Sequence, residues 1–225
     1  WLSSVKNYEL FTLNSILRIF FNNLPLIIIV LFQSEIRRLL TQIGKGPFFS
    51  QGLSYAGKEL IEELLKTSVS LANKKIGALI VLEREAALTD YLETGVLIDA
   101  KVSKDLLTSI FLPVSPIHDG AVIIQKGRIS KAACFLPLTM NPQVSKDFGT
   151  RHRAAIGISE EVDSVVIVLS EERGAISVVV SGKIIENLDA KSLRTVLQNL
   201  LNPSATDKMR NNLLFKKLKF KGGDI

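Results

Sequence analysis

The sequence predicts an α/β (α+β) domain: a central mixed β-sheet flanked by helices, preceded by an N-terminal membrane-associated helix. Three observations predict it. From about Leu53 to Leu201, short apolar runs bounded by turn residues interleave with segments of helical periodicity, the pattern of strands and helices packed in layers. Two of the apolar runs flank "KGR" at Lys126–Arg128, a hairpin signal that makes part of the sheet antiparallel. A separate apolar run, Ile16–Phe32, stands ahead of a glycine-rich stretch.

The elements follow in chain order. Ile16–Phe32 reads "ILRIFFNNLPLIIIVLF". Its unbroken apolar part, Leu24–Phe32, is shorter than the roughly 20 residues that cross a bilayer, and Arg18, Asn22, Asn23 and Pro25 interrupt the rest. Yet Arg37, Arg38 and Lys45 follow it, a basic flank that suits the cytoplasmic end of a membrane helix. The segment alone leaves a membrane helix and a soluble core helix both open. No small-residue cleavage site follows, which argues against a signal peptide. Position 1 is Trp, so the chain is expected to begin upstream of this sequence. "GKGPFFSQGLSYAG" at Gly44–Gly57 has four glycines and a proline and reads as a linker.

Beyond it, Leu60, Ile61, Leu64, Leu65 and Leu71 recur at helical spacing over Lys58–Asn73. "GALIVLE" at Gly77–Glu83 reads as a buried strand, and Val96–Ile98 as a second, short one. Ser103 caps a helix that runs to Phe111 and that Pro113 stops. Ala121–Gln125 and Ile129–Leu136 form the hairpin. Thr150–Ile158 begins a helix. Ser164–Ser170 and Ala175–Val180 are strands joined by "EERG". Asp189 caps a last amphipathic helix that ends before Pro203.

Composition sets limits on chemistry. With 47% hydrophobic and 22% charged residues among 225, the chain can bury a core and is not a disordered one. One cysteine, Cys134, excludes an internal disulfide, and two histidines exclude a multi-histidine metal cage. The net charge of +6 sits mostly in the tail Thr206–Ile225, which has six Lys/Arg against two Asp. The body of the protein is therefore not expected to bind nucleic acid. The tail's Leu213, Leu214, Phe215, Leu218 and Phe220 fit an amphipathic segment better.

Two stretches are not what folding alone would choose. "GTRHRAA" at Gly149–Ala155 puts Arg151, His152 and Arg153 at a helix start, where the helix dipole is already positive. An anion would relieve that, and the free first-turn N–H groups, the Thr150 hydroxyl and two guanidiniums would together bind phosphate; a solvated charge cluster is the bland alternative. "HDGA" at His118–Ala121 reads equally as a hairpin turn, or as a carboxylate that binds a divalent cation or takes a proton from an attacking hydroxyl. "SEERG" at Ser170–Gly174 is either a solvated turn or the remainder of a metal site.

These three motifs resemble the signature of diadenylate cyclase domains, the DisA_N/DAC family, over about Gly77–Gly182. "GALIVLE", "GVLIDAKVSKDLLTSIF" and "SPIHDGAVII" share the resemblance, and "VLFQSEIRRLLTQIGKG" is similar to the end of the last membrane helix in the membrane-anchored, CdaA-type subfamily. The resemblance implies two ATP joined into cyclic di-AMP with release of two pyrophosphates, across a face-to-face homodimer, with a divalent metal, Mn or Mg. It implies Asp119, Gly120, Arg151, His152 and Arg153 as the catalytic set. ATP would be held by Phe135, Leu136, Thr150, Arg151, Arg153 and Ser170, and the metal by Asp119, His118 and Glu172. It divides the chain into a membrane-associated segment (residues 1–43), a linker (44–57), a catalytic domain (58–203) and a basic tail (204–225). It places the protein at a bacterial cell membrane, with membrane lipid and a regulatory protein among its partners and the catalytic domain in the cytoplasm. A catalytically inactive, membrane-tethered nucleotide-binding module is the alternative reading.

Overall fold

The computed structural model describes residues 2–32, 53–84, 88, 94–145 and 147–201. Contacts divide it into two units, residues 1–49 and 50–225. Arg37, Arg38, Lys45, most of the expected linker and the basic tail lie outside the described residues.

In the first unit, helix α1 (Leu2–Leu31) runs without a break through Pro25. Its Leu13–Leu31 stretch has mean hydropathy 1.7 and is not buried against protein. Nineteen helical residues span about 28 Å, close to the hydrocarbon thickness of a bilayer. The sequence alone offers only Leu24–Phe32 as an apolar run, because Asn22 and Asn23 break it. The continuous helix changes that length. The Asn23 side-chain amide donates to the Ile19 carbonyl at 2.7 Å, which satisfies a polar group inside the helix, as lipid requires.

The second unit is a seven-stranded sheet in the order β2-β4-β3-β1-β5-β6-β7. The strands are β1 (Ala78–Glu83), β2 (Val96–Lys101), β3 (Ala121–Gln125), β4 (Arg128–Cys134), β5 (Ser164–Leu169), β6 (Ile176–Val180) and β7 (Lys183–Ile185). Only β1 and β3 pair in parallel; every other pair is antiparallel. The helices are α2 (Leu53–Asn73), α3 (Lys104–Phe111), α4 (Thr150–Glu161) and α5 (Ala190–Leu201).

The strand period explains the layers. Along β1, Ala78, Ile80 and Leu82 join a core with residues of α2, α3 and α5. Leu79 and Val81 point the other way and pack with Ala154, Ala155 and Ile158 of α4. Both faces are covered, so the strand reads as one apolar run rather than an alternation. Each fully buried Ile, Leu or Val contributes about 1.5–3 kcal/mol. That outweighs exposed ion pairs such as Lys101–Glu59, which are worth about 0–1 kcal/mol each.

Several boundaries differ from the sequence reading. The α2 helix starts at Leu53, within the expected linker, because Gly57 is a buried helical position rather than a hinge. Strand β2 continues to Lys101 as an exposed edge whose polar residues hid it. Strand β4 ends at Cys134, paired with the first residue of β3, so Phe135 and Leu136 leave the sheet. Strand β7, three residues long, follows a turn in which Ser181 and Gly182 have positive φ; it gave no periodicity to read. Ser103 caps α3 as expected, accepting from the Leu106 N–H at 3.3 Å.

Candidate active site

The sheet opens a cavity of about 630 Å³ at the end where β1 and β3 begin and β4 and β5 finish. That size falls within the range of small-molecule sites. His118, Asp119 and Gly120 reach it from the turn before β3, Phe135 and Leu136 from the chain leaving β4, Thr150, Arg151 and His152 from the start of α4, and Ser170 and Glu172 from the turn after β5. Motifs far apart in sequence, from His118 to Glu172, thus meet at one opening.

Gly120 is required where it stands. Its φ is +117°, and a Cβ there would lie 2.8 Å from the Ala133 carbonyl carbon. Only glycine lets the His118–Asp119 turn press against β4. The Nδ1 of His118 lies 2.6 Å from the Ser115 carbonyl oxygen. A carbonyl only accepts, so Nδ1 carries a proton, and in the neutral ring the lone pair is on Nε2.

The cationic wall is the start of α4. Gly149 is its N-cap and offers no side-chain bond to the first turn, so those N–H groups are open to an anion. The guanidinium Nη1 of Arg151 pairs with the Glu171 carboxylate at 2.8 Å, and the pair packs against Gly77, where a Cβ would lie 2.7 Å from Nη1. The buried Arg151 Nε has no partner among the described residues. The ring of His152 stacks on Phe148 with centroids 5.1 Å apart and planes 12° from parallel. Burial, helped by the charge of Arg173 and opposed by Glu172, lowers its pKa.

That shift makes a prediction. A histidine whose folded pKa is below its unfolded value leaves the unfolded chain with more bound protons. Stability therefore falls as pH drops below about 6.5 and levels off beneath the folded pKa. Thermal melts from pH 7.5 to 5 should show a steeper decline for the wild type than for His152→Gln. Equal slopes would remove His152 from the pH dependence.

Arg153 differs from the expectation. It does not line the cavity. Its Nε donates to the Phe148 carbonyl at 3.3 Å, and its own carbonyl accepts from the Thr139 N–H at 3.1 Å. Residues two apart on a helix are rotated by about 200°, and in this structure Arg151 lines the opening while Arg153 points to the Phe148 side. Ser170 does line it, and its hydroxyl accepts from the Arg173 N–H at 3.3 Å, holding the turn. Sequence reasoning missed Glu171, Arg173, Asp147, Glu186 and Asn187, which also line the cavity. Glu171 and Arg173 sit within "SEERG", beside the residues singled out there; Glu186 and Asn187 carried no signal.

The opposite wall is apolar. Phe135 is 69% exposed, and it lines the cavity with Leu136 and Leu138. A flat aromatic ligand fits that side and a polyanion fits the α4 side.

A divalent cation fits the donor set in chemistry. Asp119 and Glu172 offer carboxylate oxygens, and the His118 Nε2 lone pair is oriented by its Nδ1–H on a carbonyl, as metal-binding histidines are. No cluster of three such side chains close enough to hold an ion by themselves occurs among the described residues. Substrate oxygens and water would have to complete the shell.

Sheet, cavity and walls define an α/β nucleotide-binding domain. A family model described as DisA bacterial checkpoint controller nucleotide-binding, DAC, matches residues 66–184. The cyclic di-AMP synthase CdaA of Bacillus subtilis is 44% identical over 189 residues, 83% of this chain and 69% of that protein. A diadenylate cyclase of Listeria monocytogenes is 45% identical over 175 residues, 76% of this chain and 64% of that one. The chain thus spans about two thirds of the length of these relatives. The structure of a double mutant of DacA from Staphylococcus aureus matches at TM-score 0.64 and 42% identity, covering 67% of this chain and all of that one. A hypothetical membrane-spanning protein from Bacillus cereus matches at 0.56 and 33%, covering 72% and 80%. The chain belongs to the DAC family of diadenylate cyclases.

Proposed function

We propose that the chain condenses two ATP into cyclic di-AMP and two pyrophosphates, each protomer of a face-to-face dimer holding one ATP. The observation that carries this is one cavity lined by Asp119 and Gly120 together with apolar Phe135, Leu136 and Leu138 and with the start of α4. Adenine lies against Phe135 and Leu136. The triphosphate lies at Thr150 and Arg151. Asp119 accepts the proton of the ribose 3′-hydroxyl as its oxygen bonds to the partner ATP's α-phosphorus and the bond to pyrophosphate breaks. His118, Asp119 and Glu172 would contribute to holding a divalent cation, Mn or Mg, together with substrate oxygens and water, and it would supply charge neutralisation for the phosphates. Arg153 acts through the loop it ties rather than on the nucleotide. Positioning and electrostatics do most of the catalysis.

A product with two equivalent phosphodiester bonds implies a two-fold axis between two chains. Leu13–Leu31 lies in membrane lipid, with the catalytic unit on the cytoplasmic side, where ATP is. Tethering confines protomers to a plane and raises their encounter rate.

The test is to incubate the unit from Leu53 onward with ATP and Mn²⁺ or Mg²⁺ and identify cyclic di-AMP by mass spectrometry. ATP binding without product would favour the inactive module. Specific activity at saturating ATP should fall on dilution. A flat profile down to concentrations where sizing finds only monomer would exclude the two-chain mechanism.

A further inference from the structure

We propose that the back of α4, at Gly157 and Glu160, is a positioning device that sets the base wall of the cavity and thereby the preference for the adenine end of the substrate. The proposal deepens the reading of this cavity as an ATP site, and it rests on contacts outside the cavity. The segment from Phe135 to Asn141 leaves β4 and crosses α4 as a strap. Its cavity-facing residues are Phe135, Leu136 and Leu138. At one end the Phe135 N–H donates to the Thr94 hydroxyl at 3.1 Å.

At the other end the strap is bonded to α4. Thr139 is buried; its hydroxyl donates to a Glu160 carboxylate oxygen at 2.9 Å and accepts from the Asn141 N–H at 3.2 Å. Its N–H donates to the Arg153 carbonyl at 3.1 Å. Between these bonds the strap backbone lies on Gly157. A Cβ there would sit 2.8 Å from the Thr139 nitrogen and 2.9 Å from the Leu138 carbonyl carbon, closer still to the Pro137 oxygen. These are backbone atoms, so a side chain at 157 moves the whole strap.

One helix therefore fixes both walls. Its first turn faces the phosphates through Thr150 and Arg151, and two turns later Gly157 and Glu160 fix the strap. The separation between base wall and phosphate wall is set by α4, and a perturbation at its back moves only the base wall. That split distinguishes a positioning role from general loss of structure.

The test uses the full chain in detergent with Gly157→Ala, Thr139→Val and Thr139→Ser. Both of the first two should raise KM for ATP about tenfold, the effect of about 1.4 kcal/mol of lost binding. Inorganic tripolyphosphate, which has no base, should bind them within about twofold of wild type, and Thr139→Ser should restore the KM. Hydrogen exchange of residues 137–141 without nucleotide should be faster in Gly157→Ala and Thr139→Val than in wild type, whatever the activity. Equal loss of ATP and tripolyphosphate binding, or unchanged exchange and KM, would overturn the proposal. Should Gly157→Ala not fold, Thr139→Val and its serine rescue decide alone. A wild type that turns over no ATP would refute the functional reading instead, leaving the exchange result to judge the strap.

Discussion

An Asp119→Asn chain should bind ATP almost as wild type does and make no detectable cyclic di-AMP. The substitution keeps the shape of the side chain and its capacity to accept within a turn, so the Gly120 approach to β4 survives. It removes the negative charge and the basic oxygen. General base catalysis contributes about 10²–10⁴-fold, and the loss of a cation ligand adds to it, so the rate should fall by at least about 10³-fold. On the proposed reading affinity is carried elsewhere, by the start of α4 and by the strap, both of which the variant leaves intact. Product formation by mass spectrometry and ATP binding by calorimetry separate the two effects. Turnover within tenfold of wild type would exclude Asp119 from the chemistry. Loss of ATP binding in step with turnover would make it a binding residue.

How much of this was legible in the sequence depends on what kind of signal each residue carried. The buried strands β1, β5 and β6 declared themselves because both sheet faces are covered, giving unbroken apolar runs. The edge strand β2 was legible only over Val96–Ile98, since its exposed residues include Asp99 and Lys101. Arg151 could be singled out because it puts a cation at a positive helix end. Asp119 and Gly120 read equally as a hairpin turn and could be singled out only through the resemblance to diadenylate cyclase domains. Gly157 could not. A glycine inside a helix reads as a weakness in the helix, and nothing local reveals that a strap from twenty residues earlier lies on it. Arg153 is the converse case: adjacent motif letters suggest one cradle, while in this structure its side chain reaches the Phe148 carbonyl.

The two arginines should accordingly behave differently when removed. Arg151→Ala takes away the guanidinium that lines the cavity, and losing a charge-assisted hydrogen bond to phosphate costs about 1.5–3 kcal/mol. At about 1.4 kcal/mol per decade, ATP should bind roughly 10- to 100-fold more weakly. Folding should suffer little. The substitution breaks the Arg151–Glu171 ion pair, and Glu171 is 61% exposed, where such pairs add about 0–1 kcal/mol. Truncation also removes the buried Arg151 Nε that lacks a partner, which offsets part of that cost. Arg153→Ala should show the opposite balance. The thermal midpoint should drop as the Phe148 carbonyl loses its donor, while ATP affinity changes only modestly through the loosened loop. Calorimetric titration of ATP and a thermal melt on each variant give the comparison. Unchanged affinity in Arg151→Ala would make that residue a surface charge paired with Glu171. A deeper affinity loss in Arg153→Ala than in Arg151→Ala would mean that the α4 start turns on binding ATP, bringing the second guanidinium round to the phosphates.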